Sequence, residues 1–210
     1  MKVIYTALFG DYEELKEPTV ITPGWKYVCF SDQPLKSDIW QIINTDVIDT
    51  PRRTARWYKI MGWIDWEESI WIDCSFQINV DLNDWWERYA KKDFNAAKHP
   101  LRTCVYREAE ACIVGKRGEE ELIKSQIDHY KRIGVKDYQD RVITSGMMLR
   151  RNTPETIKLC ELWWAEVAKW STRDQIAFYR ISEGFDIHTF RWDYSQSKEL
   201  KYHKHYAQRH

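Results

Sequence analysis

Residues 69–79, SIWIDCSFQIN, constrain this chain most: a short apolar run delivers one aspartate and then turns polar. Ile70, Trp71 and Ile72 are β-branched or aromatic, as a buried central strand requires. An ionised carboxylate is costly to bury unless something pairs with it. Asp73 therefore marks a strand end that faces a cation, a basic partner or the surface; the plainer alternative is a capping Asp in the next turn. In open α/β sheets, ligands sit at such strand ends.

The rest of the pattern repeats that unit. Residues 2–9, 26–30 and 39–44 read as further strands, the first ending at Gly10-Asp11-Tyr12 and the second at Ser31-Asp32-Gln33-Pro34. Thr50 offers a helix N-cap and Pro51 a first helical position, with the helix expected to run to about residue 68. Helices are expected at 81–91, 119–133, 153–170 and 174–183, and a strand at 142–150 interrupted by Ser145-Gly146. The stretch 99–117 follows neither period. Strands alternating with helices predict an α/β fold with a mainly parallel central sheet flanked by helices. With 210 residues, a single domain over 1–195 and a basic, His-rich tail over 196–210 is the simplest division.

Composition excludes several classes. Thirty-two basic and 32 acidic side chains cancel, so a duplex nucleic-acid clamp is not expected. Five scattered cysteines form no C-x-x-C pair, which argues against a zinc site or disulfide framework and for a reducing cytoplasm. No apolar run reaches the length of a membrane span. The 12 Trp and 12 Tyr suit core packing and also sugar or nucleobase stacking.

Polar clusters at 6–12, 32–33 and 73–75 would share one sheet edge, as a nucleotide site needs. Neither G-x-G-x-x-G nor a P-loop is present, so neither device holds the nucleotide. Arg52, Arg56 and Lys59 recur on one face of the helix after Pro51, either as a grip for a diphosphate or as a solvated basic face. Asp174-Gln175 opens a helix, where an Asp is favoured electrostatically; the functional alternative is a carboxylate near a reacting carbon. His203 and His205 could add imidazole ligands to a cation at Asp73, and His99 with Glu108 could contact an acceptor.

These pieces, in this order, resemble a GT-A nucleotide-sugar glycosyltransferase and, more closely, the DUF616 family, whose plant members include rhamnogalacturonan galacturonosyltransferases. The strings that carry the resemblance are VIYTALFGDYEEL (3–15), YVCFSDQ (27–33), RRTARWYKI (52–60), IWIDCSFQI (70–78), HPLRTCVYREAEA (99–111), ITSGMMLRRN (143–152) and RDQIAFY (173–179). The resemblance implies a GT-A-like domain that moves a sugar from a UDP-sugar donor to a hydroxyl of a glycan acceptor, retaining configuration and using Mn²⁺ or Mg²⁺. By the same resemblance Thr6, Ala7, Phe9, Gly10, Tyr12 and Asp32 contact the nucleoside, and Arg52, Arg56 and Lys59 the diphosphate. Asp73, Ser75, His203 and His205 are the expected metal ligands, Asp174 and Gln175 with Asp73 the catalytic residues, and His99, Arg102, Glu108, Ser145 and Gly146 the acceptor side. One departure stands out: the family-type D-x-D is Asp73-Cys74-Ser75 here, and a hydroxyl is a poorer ligand for Mn²⁺ or Mg²⁺ than a carboxylate. Two alternatives follow, a non-catalytic nucleotide- or sugar-binding module and a lipid amide hydrolase.

Overall fold

Buried strands and one-sided helices assemble as their sequence periods dictate. A computed structural model of the chain describes residues 1–11, 13–137 and 141–203. In chain order the elements are β1 (Lys2–Leu8), β2 (Lys26–Ser31), β3 (Gln41–Asn44), α1 (Pro51–Met61), β4 (Glu68–Ile72), β5 (Phe76–Ile78), α2 (Leu82–Tyr89) and β6 (Phe94–Lys98). They continue with α3 (Val105–Val114), α4 (Glu120–Arg132), β7 (Ile143–Arg151), α5 (Pro154–Lys169), α6 (Asp174–Ile181), β8 (Ile187–Phe190) and β9 (Leu200–Tyr202). Seven strands form one sheet in the order β3-β2-β1-β4-β7-β6-β8, and β5 pairs with β9. Within the large sheet only β7 runs against its neighbours β4 and β6; the other pairings are parallel. The fold is thus a mixed α/β domain with a mostly parallel central sheet.

Alternation along β1 divides the core. Val3, Tyr5, Ala7 and Phe9 face one side with Ala55, Ile60, Leu159, Trp163 and Phe178, from α1, α5 and α6. Ile4 and Leu8 face the other side with Leu82, Trp85 and Trp86 of α2 and with Phe76, Ile78 and Leu200 of the β5–β9 pair. Successive side chains on a strand point to opposite faces, so one strand serves both layers. The surplus tryptophan lies largely in these layers: Trp63, Trp71, Trp85 and Trp163 are fully buried.

α1 shows how local chemistry sets a boundary. The Thr50 hydroxyl accepts from the Arg53 N–H at 3.2 Å and Pro51 takes the first turn. The helix ends at Met61, short of the expected residue 68, because Gly62 caps it with its N–H on the Tyr58 carbonyl at 2.9 Å. Trp63 and Trp66 still pack into the core from the turn that follows, which is why the apolar pattern outruns the helix.

β7 fixes the functional edge. Because it runs antiparallel to β4, its start lies beside the end of β4: Ile72 pairs with Met147, and the Asp73 N–H donates to the Gly146 carbonyl at 2.8 Å. Asp73, Ser145 and Gly146 therefore meet at the edge where β1 and β4 both finish. Gly146 must lack a side chain there, since a Cβ would lie 2.9 Å from the Phe76 ring and 3.5 Å from Asp73 Oδ2. Part of the segment expected as a tail, Leu200–Tyr202, is β9, paired with Phe76–Ile78. No helix among the described residues is long and apolar enough to cross a membrane.

Candidate active site

At the end of β4 the chain leaves the sheet and Asp73 points into the open. Its Oδ1 accepts from the Trp71 indole N–H at 2.8 Å and from the Lys59 ammonium at 3.1 Å, and its side chain keeps 30% of its accessible surface. Lys59 comes from the inner face of α1, whose last turn is anchored from below. The Tyr5 hydroxyl donates to the Lys59 carbonyl at 2.7 Å, and the buried Arg150 guanidinium donates to the same carbonyl at 3.1 Å and to Tyr5 Oη.

An ammonium has three donors, and all three are engaged: with Asp73 Oδ1, with Ser145 Oγ at 3.0 Å and with Asp174 Oδ2 at 2.9 Å. The Ser145 hydroxyl donates to Asp174 Oδ2 at 2.8 Å. Asp174 is 2% exposed. Burial alone would push its carboxyl up, but Lys59, Arg56 and Arg173 together hold it well below the usual carboxylate range. It is a permanently ionised anchor for Lys59.

In front of Asp73 opens a cleft of about 720 Å³. Its walls include Ala7 of β1, Pro51, Arg52, Ala55 and Arg56 of α1, Asp73-Cys74-Ser75 after β4, Tyr194 and Tyr202. Gly115-Lys116-Arg117, the turn after α3, and Arg173 complete the lining, and Arg56 Nε donates to the Thr172 carbonyl at 3.3 Å, next to Arg173. Asp73 is the one carboxylate among the described lining residues, against five cationic side chains. Such a cleft attracts polyanions. Burial pushes the Cys74 thiol far up, with Asp73 adding to the shift, so this neighbour of Asp73 stays protonated and inert at neutral pH.

Of the residues expected to touch a nucleoside, Ala7 lines the cleft. Thr6 is 1% exposed and Phe9 is fully buried, stacked on Tyr58 with centroids 5.4 Å apart; both belong to the interior. Odd and even positions of β1 face opposite layers, so Thr6 and Ala7 cannot serve the same cleft. Asp32 holds the Gly10 turn, accepting the Gly10 N–H at 3.0 Å, and Gln33 donates to the Gly10 carbonyl. Gly10 itself has φ +71°, a conformation glycine adopts without strain. Tyr12 lies outside the described residues. Arg52 and Arg56 line the cleft as expected positions for a diphosphate grip, whereas Lys59 faces away with its three donors occupied.

His99, Arg102 and Glu108, read as an acceptor group, are brought together but behind the cleft wall. Glu108 is 1% exposed, with Arg102 on Oε2 and Arg173 3.5 Å from Oε1. His99 Nδ1 accepts the N–H groups of Leu101 and Arg102 at 3.1 and 3.0 Å, and its Nε2 lies 2.7 Å from the Arg102 guanidinium. Burial, with Arg102 and Arg173 adding to it against the opposing Glu108, lowers the His99 pKa to about 4. This cluster positions Arg173, whose guanidinium also donates to Gln175 Oε1 at 2.7 Å, while Gln175 donates to the Ile143 carbonyl at 2.8 Å. Asp174 and Gln175 thus brace the site from within rather than face it.

The donor set does not fit a resident divalent cation. Asp73 Oδ1 already receives two N–H groups, and the second carboxylate of a D-x-D is Ser75. His203 sits alongside, its N–H on the Ser75 carbonyl at 2.8 Å, and His205 lies outside the described residues. Among the described residues no three His, Cys, Asp or Glu side chains converge. Mn²⁺ and Mg²⁺ want several oxygen ligands of negative charge, whereas a lone carboxylate among five cations repels them.

The family model of the TOD1/MUCI70 glycosyltransferase-like domain matches residues 39–205, and the chain belongs to that family. It is 26% identical over 215 residues to a probable hexosyltransferase, MUCI70, of Arabidopsis thaliana, covering 86% of this chain but only 37% of that protein. Among solved structures, mouse xyloside xylosyltransferase 1 in its apo form superposes with a TM-score of 0.51 at 8% identity, covering 92% of this chain and 86% of the other. That likeness is one of fold.

Missed in the sequence were Lys116, Arg117, Arg173, Tyr194 and Tyr202. The glycine-flanked basic pair in Gly115-Lys116-Arg117-Gly118 was a legible turn signal; the two tyrosines carried none.

Proposed function

We propose that this chain transfers a sugar from a UDP-sugar to a hydroxyl of a glycan acceptor, retaining the anomeric configuration. The observation that carries the reading is the cleft at the β1/β4 edge, where one carboxylate faces five cationic side chains. A glycosyl diphosphate needs that combination. As the bond from C1 to the phosphate oxygen breaks, negative charge grows on the departing UDP, and in this reading Arg52 and Arg56, which line the cleft, stabilise it. Positive charge grows at C1, which Asp73 stabilises from the cleft wall. The acceptor hydroxyl bonds to C1 on the face the phosphate leaves, and its proton passes to the departing phosphate oxygen. Tyr194 and Tyr202 supply aromatic faces for the base or the sugars.

A second reading, a catalytically silent nucleotide-binding module, is favoured by the missing second carboxylate at Ser75. Isothermal titration with UDP, GDP and CDP, followed by incubation with UDP-sugars, tests both. Selective UDP binding with release of UDP from a donor supports the transferase. UDP binding with no turnover of any donor selects the silent module, and no nucleoside diphosphate binding overturns both.

A further inference from the structure

The basic turn after α3 has no role in the donor grip described so far, yet it lines the same cleft as α1. Cys112, at the end of the buried face of α3, accepts the Arg117 N–H on its carbonyl at 2.8 Å, and the Ile113 carbonyl accepts the Lys116 N–H at 3.0 Å. Lys116 has φ +50°, the one non-glycine residue with positive φ among those described. The turn is therefore a fixed loop, its backbone bonded at successive positions. Gly118, at φ +118°, closes it against Arg173: a Cβ there would lie 3.2 Å from Arg173 Cδ.

Arg173 is held in turn from behind by Glu108 and Gln175. Its Nε is buried and has no hydrogen-bond partner within the protein, and an unsatisfied buried donor on a charged group is costly. Lys116, Arg117 and Arg173 thus bring three cations to the cleft that Arg52 and Arg56 also line. Asp73 is the one carboxylate among the described lining residues.

We propose that this basic turn with Arg173 is an anion clasp for the donor's diphosphate, and that it does electrostatically what a divalent cation does at a D-x-D site. The inference rests on the UDP-sugar reading above. It adds that the nucleotide binds without metal, because the cationic side chains gathered on this cleft neutralise the diphosphate. With Arg56 3.7 Å from Asp174 and Arg173 3.5 Å from Glu108, the further cations Arg52, Lys116 and Arg117 still outweigh Asp73, so the cleft stays positive and an added divalent ion meets repulsion.

The test is calorimetric titration of the full chain with UDP and with inorganic pyrophosphate, once in EDTA and once in Mn²⁺, for wild type and a Lys116→Ala/Arg117→Ala variant. Both side chains are exposed, so the variant is expected to melt with the wild type. The expected result is a UDP affinity equal in EDTA and Mn²⁺ within about threefold, and at least about tenfold weaker in the variant, as loss of charge-assisted contacts predicts. Pyrophosphate should compete with UDP. UDP binding only with Mn²⁺ overturns the metal-free clasp and leaves the transferase reading standing. Unchanged UDP affinity in the variant overturns the role of the turn. Absence of UDP binding under both conditions overturns the transferase reading and the clasp with it.

Discussion

The Lys59 ammonium lies 2.9 Å from Asp174 Oδ2 and 3.1 Å from Asp73 Oδ1, joining a carboxylate sealed in the interior to one that faces the cleft. Asp73 is held in place by a charge that is itself immobilised. This chain of contacts, from α6 through α1 to the end of β4, makes the site rigid before any ligand arrives.

Lys59 and Asp174 are both almost fully buried, so removing one leaves the other's charge in the interior. Lys59→Met is expected to cost about 3–5 kcal/mol of stability, the usual penalty for breaking such a pair. A Lys59→Met/Asp174→Asn double variant should recover part of that loss. Urea denaturation of the three proteins checks it; a single variant as stable as wild type would contradict the arrangement.

His99 predicts a pH dependence. Its folded pKa of about 4 lies below the ordinary value of about 6.5, so the unfolded chain binds the proton more readily. Stability from this group is complete above about pH 6.5 and is lost progressively as pH falls toward 4. The loss stays below about 3.5 kcal/mol, the ceiling set by roughly 1.4 kcal/mol per pH unit between 6.5 and about 4, because solvent screens the partly accessible ring. Thermal melts across pH 4–7.5 should show a shallower decline for His99→Gln than for wild type.

Gly146→Ala should disturb the cleft without touching a charge. The new Cβ would press on the Phe76 ring at 2.9 Å, beside Asp73 Oδ2. Overpacking of this kind costs about 1–3 kcal/mol, and displacement of Asp73 should lower turnover as well. Combined melting and UDP-release measurements read both effects, and a variant with unaltered turnover would show that Asp73 tolerates the shift.

Much of the frame was legible in the sequence. Alternation and β-branching marked β1, β2, β4 and β7, and Asp73 stood out because a carboxylate ended an apolar run. β6 escaped because it is Phe-Asn-Ala-Ala-Lys: the buried Asn95 satisfies its side chain on the carbonyls of Lys92 and Leu149 at 2.7 and 3.1 Å, a tertiary solution invisible to strand propensity. α3 escaped because its N-cap is the Cys104 thiol, which accepts from the Arg107 N–H at 3.4 Å, where a hydroxyl or carboxylate is the recognisable signal. The site divided along the same line. Arg52, Arg56 and Asp73 were readable from spacing, but the burial of Lys59 and Asp174 depended on how α1, β7 and α6 pack. That packing turns two expected ligand contacts into supports.

The most direct test of the account is the rate of UDP release from a panel of UDP-sugars, with water as acceptor, by wild type and Asp73→Asn. Asp73 is part-exposed and bears on the fold only through Lys59 and Trp71, so the variant should fold and still bind UDP. The account predicts measurable release by wild type and a loss of about 100-fold or more in the variant, the scale expected when a group that stabilises transition-state charge is removed. Release by Asp73→Asn at the wild-type rate would contradict it.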